Sequence, residues 1–247
     1  MADEDYAPGH SKTALDFMRI RSGESHAGFF VPFLGSGNRL LDCGCGPGTI
    51  TVDLAALVAP GHVIGIDQQA EQLAGAKALA ASRGLTNVRF EQADVYALPF
   101  EDASFDRVFS NALVEHLADP SRGLVEIRRV IRPGGMIGVS VPDWGGLVIG
   151  PPEAGMDDVA ERYRLVQRRG GGDMHRGRSL GRLLSSAGFS DVRLGARAEL
   201  MEPSLIGPLF AEVLEAEEPH AAAAARAWAG DPEALFAQFW IEVVAEA

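Results

Sequence analysis

Cysteine is scarce in this chain of 247 residues: there are two, Cys43 and Cys45, and both fall in one glycine-rich stretch. With no further Cys and no His nearby, the pair does not make a metal site, so no metal is expected. Small residues that fit a tight turn in a reducing compartment account for them. Positive charge is also short. Against 34 Asp and Glu stand 22 Lys and Arg, a formal charge of −12, which argues against a phosphate backbone, and so against nucleic acid, as the main partner. No apolar run reaches the roughly 20 residues of a membrane span, so no membrane insertion is expected. Residues 1–12 are acidic and polar where a signal peptide would be basic and then apolar. A soluble, cytoplasmic protein is the expectation, and nothing in the sequence indicates more than a possible homodimer.

What is present is organised around residues 40–49, Leu-Leu-Asp-Cys-Gly-Cys-Gly-Pro-Gly-Thr. Residues 39–42 read as a buried strand and 49–58 as a helix, joined by a loop with glycine at 44, 46 and 48. Glycine lets backbone turn sharply and approach a ligand closely, and amides at the helix N-terminus suit an anionic group. Nucleotide, dinucleotide and nucleoside binders all use such loops, so the strands beyond the loop decide among them. Residues 63–67, Val-Ile-Gly-Ile-Asp, form an apolar strand ending at Asp67, placed to accept from both ribose hydroxyls. Residues 88–95 form another strand, ending in Asp94, and residues 105–111 run Phe-Asp-Arg-Val-Phe-Ser-Asn.

Strands and helices then alternate with short connections, the pattern of a parallel sheet covered on both faces. Strands are expected near 39–42, 62–66, 87–91, 104–109 and 135–141, and helices over 49–58, 69–83, 112–116 and 120–131. Asp42, Asp67, Asp94 and Asn111 fall at the carboxyl ends of strands, where open sheets bind ligands. Ahead of the sheet, residues 11–21 are loosely helical, 22–25 interrupt them, and 26–33 read as a second helix. Beyond it come a Gly- and Pro-rich loop (142–155), helices over 157–169 and 179–187, a sixth strand from 189, a helical insertion (203–238) and a seventh strand at 239–244. Seven arginines (162, 164, 168, 169, 176, 178, 182) with one acid, Asp173, read either as an anion-attracting rim or as a solvated face that pairs with the acidic tail.

The motifs "LLDCGCGPGT", "VIGID", "VRFEQADVYALPFEDASFDRVFSNALVEHLADP" and "EIRRVIRPGGMIGVSVPD" occur in order over residues 39–143. In them the chain resembles the class I S-adenosylmethionine (SAM) dependent methyltransferases, near the ubiquinone/menaquinone-biosynthesis-like enzymes that act on small molecules. The resemblance implies an α/β, Rossmann-like, seven-stranded, mostly parallel sheet with an antiparallel last strand, helices on both faces and a helical cap. Residues 1–38 become an N-terminal helical lid and 39–247 the SAM-binding core, with substrate insertions near 144–187 and 203–238. It implies SAM as cofactor: Gly44, Cys45, Gly46 and Gly48 at the amino-acid tail through loop amides, Asp42 organising the loop or taking the ammonium through water, and Asp67 on the ribose. Asp94, Val95 and Gln68 belong around the adenine, and Asn111 and Leu113 beside the sulfonium.

Methyl transfer is an in-line displacement in which positioning supplies much of the acceleration, and a hydroxyl or carbon acceptor must also lose a proton. His116 is the first candidate base, with a structural histidine as the alternative, and His175 and His26 come after it. Tyr163 and Trp144 could pack an aromatic substrate or simply a core, and His26 and Phe29 could face substrate or a packed helix surface. The expected activity is methylation, at O, C or N, of a small hydrophobic or aromatic metabolite of quinone or secondary metabolism. Two rivals stand beside it. A nicotinamide-dependent oxidoreductase would want its third glycine where Thr49 is, and a cyclase or regulatory subunit would keep SAM without transferring its methyl.

Overall fold

The computed structural model describes residues 11–247. Its centre is a seven-stranded sheet in the order β3-β2-β1-β4-β5-β7-β6, formed by β1 (Leu40–Cys43), β2 (Val63–Asp67), β3 (Val88–Gln92), β4 (Phe105–Asn111), β5 (Ile131–Gly150), β6 (Ser190–Met201) and β7 (Leu235–Glu246). The first five strands pair parallel, and β7 runs antiparallel to both neighbours, β5 and β6. This is the expected Rossmann-like arrangement. The helices are α1 (Lys12–Arg19), α2 (Gly23–Ala27), α3 (Thr49–Val58), α4 (Ala70–Ser82), α5 (Pro120–Val130), α6 (Met156–Arg169), α7 (Leu180–Ser186), α8 (Pro203–Leu214) and α9 (Pro219–Ala229).

Alternation along the central strands feeds two cores, which is why those strands read as continuous apolar runs. Leu41, Val108, Val139 and Val243 pack with Leu124 and Ile127 of α5 and Leu180 and Leu184 of α7. On the other face Leu40, Val63, Phe109 and Val244 pack with Ile50, Leu54 and Val58 of α3 and with Phe30. A third cluster lies above the sheet's edge. It joins Ala14 and Phe17 of α1 to Val159 and Tyr163 of α6, Leu209 and Phe210 of α8, Ala222 and Trp228 of α9, and Phe236 of β7.

Four local expectations need correction. Residues 22–25 do not break a helix but begin one: Ser22 accepts from the Ser25 amide, and Ser25 reciprocates, in a capping box at the start of α2. That helix stops at Ala27 and is succeeded only by a 3₁₀ turn, Val31–Phe33, in whose first turn Pro32 has no amide hydrogen to give to an α-helical bond. Residues 112–116 hold no α-helix. Ala112 takes φ 51° and a 3₁₀ turn spans Val114–His116, since Asp119 caps α5 too soon afterwards for a helix to fit. Finally, 142–150 are strand, not loop. Pairing with β7 lapses after Asp143 and resumes at Val148↔Ala237, so Gly145 and Gly146 belong to a bulge. β7 correspondingly begins at Leu235, inside the expected helical insertion.

Candidate cofactor and active site

A cavity of ≈ 370 Å³ opens at the carboxyl ends of β1, β2 and β4, within the range of small-ligand sites. Gly48 caps α3 with φ 77°, and a Cβ there would lie 2.7 Å from the Ala76 Cβ and 3.0 Å from the Phe90 ring. Gly44 takes φ 74°, and a Cβ would meet the Leu113 side chain at 3.1 Å. The loop therefore presses backbone against α4 and the cavity wall as no other residue could.

The structure brings most of the expected residues to one place. Asp42, Gly44, Cys45, Gly46, Asp67, Gln68, Val95, Asn111, Leu113 and His116 all line the cavity. Asp67 accepts from the Gly46 amide through Oδ2 and from the Gln69 amide through Oδ1, each at 2.9 Å. Each carboxylate oxygen keeps a further lone pair for a hydroxyl donor. Asp42 is buried and accepts from Thr51 Oγ1 at 2.6 Å. Burial, opposed by that bond and assisted by the charge on Asp67, raises its pKa to about 7. Asn111 is buried and lines the cavity, and among the described residues its Nδ2 has no partner. An orphaned donor, a ribose-competent carboxylate and a side-chain-free loop fit a nucleoside cofactor with a charged tail.

Some positions are placed differently. Asp94 does not line the cavity. Its Oδ1 accepts from the Tyr96 amide at 2.9 Å in the turn after β3, while its neighbours Ala93 and Val95 form the wall. Gly48 likewise shapes the loop from behind. The loop amides, expected to take an anion, are occupied: Gly44 and Cys45 both donate to the Ile66 carbonyl at 2.9 Å, and Gly48 to the Cys45 carbonyl at 3.0 Å.

His116 faces the cavity, its Nε2 3.6 Å from the Glu115 carboxyl. Burial and the Arg21 charge hold its pKa down to about 3, against a hydrogen bond with Gln167. Glu115 is itself buried and raised to about 8. Both groups are therefore uncharged near neutral pH. His26 is buried edge-on to Trp240 at 4.9 Å, Phe29 packs with Phe30 and Phe109, and His175 lies against Gly145. Trp144 and Tyr163, 4.8 Å apart, belong to the cap's own core. Six of the seven clustered arginines pair with acids, including Arg162 with Glu218 and Arg169 with Glu217 of the acidic tail, which is the solvated-face reading.

Sequence reasoning missed Met18 and Arg21, which enter the cavity from α1 and the segment after it, and Gln69 and Gln72 from α4 and its cap. The signal for Gln72 is faint, a polar residue on the α4 face that carries Leu73, Ala76 and Ala80.

Fold and site together define a Rossmann-like binder of a nucleoside cofactor. A methyltransferase domain family matches residues 34–167, and the chain belongs to the class I, SAM-dependent methyltransferases. It is 36% identical over 77% of its length to an uncharacterised 37.1 kDa protein in transposon TN4556 of Streptomyces fradiae, covering 50% of that protein. It is 30% identical over 67% of its length to an uncharacterised methyltransferase of Schizosaccharomyces pombe, covering 62% of it. The chain thus spans half to under two thirds of these relatives. Among solved structures, the [4+2]-cyclase SpnF matches with a TM-score of 0.58 and 26% identity, over 98% of this chain and 85% of that one.

Proposed function

We propose that the chain transfers a methyl group from SAM to a small, hydrophobic or aromatic metabolite of secondary metabolism, in the cytoplasm. The observation that carries this reading is the cavity that gathers Asp67, Asn111 and the glycine loop at the carboxyl ends of β1, β2 and β4. When bound, SAM supplies an electrophilic methyl on a sulfonium. Asp67 holds the ribose, Gln68 and Val95 flank the adenine with Asp94 fixing the turn behind them, and Asp42 braces the loop through Thr51. Gly44, Cys45 and Gly46 give close approach, and Gly48 sets the loop's exit into α3. Asn111 and Leu113 stand at the reacting end.

Met18, Leu113 and Leu117 form an apolar outer wall, which supports an apolar acceptor. The helices α1, α6, α8 and α9 pack into one apolar cluster, of which α1 reaches the cavity through Met18. His116 is the proposed catalytic base: it lines the cavity and is neutral across the physiological range, so it has a lone pair to accept a proton, while burial and the Arg21 charge that lower its pKa to about 3 oppose that role. The charge of −12 supports a small-molecule partner over nucleic acid. The test is product analysis with phenols and hydroquinones. Methylated product with an equal amount of S-adenosylhomocysteine is expected. The likeness to SpnF supports a second reading, cyclisation without methyl transfer, for which converted substrate of unchanged mass would be the sign.

A further inference from the structure

The sheet ends at β6, and among the described residues its outer edge has no strand beside it. Natural proteins blunt such edges by keeping them short or by setting Lys and Pro along them, because unpaired amides and carbonyls invite another strand. β6 does neither. It runs for 12 residues, Ser-Asp-Val-Arg-Leu-Gly-Ala-Arg-Ala-Glu-Leu-Met, with no Pro and no Lys. Among the described residues no loop or helix backbone bonds to it over 191–201.

Its two faces are unlike. Arg193 lies over the Phe33 ring, Arg197 donates to Glu242 at 2.9 Å and to Glu199 at 3.1 Å, and His26 stands 3.4 Å from Glu199, so the charges share one face and are matched there. The other face carries Leu194, Ala196, Ala198 and Leu200, all exposed. Leu200, at 74%, and Leu194, at 62%, are the two most exposed large apolar side chains among the described residues. Phe239 of β7, opposite Ala198, continues this apolar face.

A second copy of this chain fits that edge. Antiparallel pairing about a two-fold axis opposes residues of the same face, since side chains alternate with period two. A strand spanning Ser190–Met201 therefore pairs along nearly its whole length in two registers, centred on Gly195 or on Ala196. Centred on Gly195, Arg193 would oppose Arg197 and Asp191 would oppose Glu199, like charge against like. Centred on Ala196, Arg193 opposes Glu199, while Leu194 opposes Ala198 with Leu200 diagonal to it. Opposite charges and apolar pairs across strands stabilise a sheet, and like charges destabilise it. We infer that β6 pairs with β6 of a second copy, antiparallel and centred on Ala196, to form a two-fold dimer with one continuous sheet. The inference is independent of what the cavity binds.

Sedimentation velocity of the full chain at micromolar concentration should show a dimer. Leu200→Lys and Arg193→Glu change exposed positions and act twice across the axis, so each should weaken the dimer by about tenfold or more. Residues opposed in an antiparallel pair have Cα atoms about 4.5–5.5 Å apart, within disulfide reach. Oxidation of Ala196→Cys should therefore link two chains, whereas Ala198→Cys, off the axis, and the parent, with Cys43 and Cys45 alone, should stay unlinked. A monomeric parent, a dimer that neither Leu200→Lys nor Arg193→Glu weakens, or equal linking of the two cysteine variants overturns the inference. A monomeric parent that floats with phosphatidylcholine vesicles would overturn it too and give the apolar face to lipid.

Discussion

Asp67 shows how far a single residue was legible. Its place at the end of an apolar strand, one strand-helix-strand unit after the glycines, marks it as a ligand-site residue, and it lines the cavity with both oxygens accepting from backbone amides. Asp67→Ala is expected to weaken SAM binding by about 1–3 kcal/mol, the scale of charge-assisted hydrogen bonds; an unchanged dissociation constant would remove it from the ribose. His116→Ala should leave SAM affinity nearly intact and slow turnover by roughly 10²–10⁴ if His116 takes the proton, and equal rates would make it structural. Asp94 and Arg21 were not legible in the same way. Asp94 lies in the turn after β3, two residues beyond the strand, where its Oδ1 accepts from the Tyr96 amide. Arg21 reaches the cavity through tertiary packing of α1, which no spacing in the sequence encodes.

Among the elements, the legible ones are those whose pattern and partner agree. β1, α3, β2 and α4 fall within a residue or two of expectation because buried apolar runs and a glycine stop leave few alternatives. The loop between β1 and α3 carries a sharp prediction. Gly48→Ala forces an L-residue to φ 77° and a methyl to within 2.7 Å of Ala76, so unfolding in denaturant should show a loss of at least about 2 kcal/mol. Parent-like stability would mean that the loop is not under this constraint. The far ends of β5, β6 and β7 were hidden because their pairs use Gly, Ala, Arg and Glu. Propensity disfavours a strand there, and the neighbouring strand overrides it. The corner at 22–25 was misread because Ser-Gly-Glu-Ser serves equally as a break and as a capping box.

For the whole molecule, the buried ionisable groups predict how stability depends on pH. Folding raises Asp42 from 3.8 to about 7 and Glu115 from 4.5 to about 8. The stability that accompanies their neutral forms is therefore full below the ordinary carboxylate range and is lost as pH rises through those values. His116, lowered from 6.5 to about 3, acts oppositely: its contribution is present above 6.5 and falls away in acid. Unfolding free energy should thus decline as pH rises to 8. Glu115→Gln should remove about 2–5 kcal/mol of that decline at roughly 1.4 kcal/mol per pKa unit, and denaturation curves that keep the parent's slope would contradict the assignment. The central claim is that this cavity is a SAM site, and calorimetric titration of the purified protein with SAM and, separately, with NADH tests it most directly. Micromolar SAM binding that Asp67→Ala weakens, with no response to NADH, is the predicted result; no SAM binding, or NADH binding in its place, would contradict it.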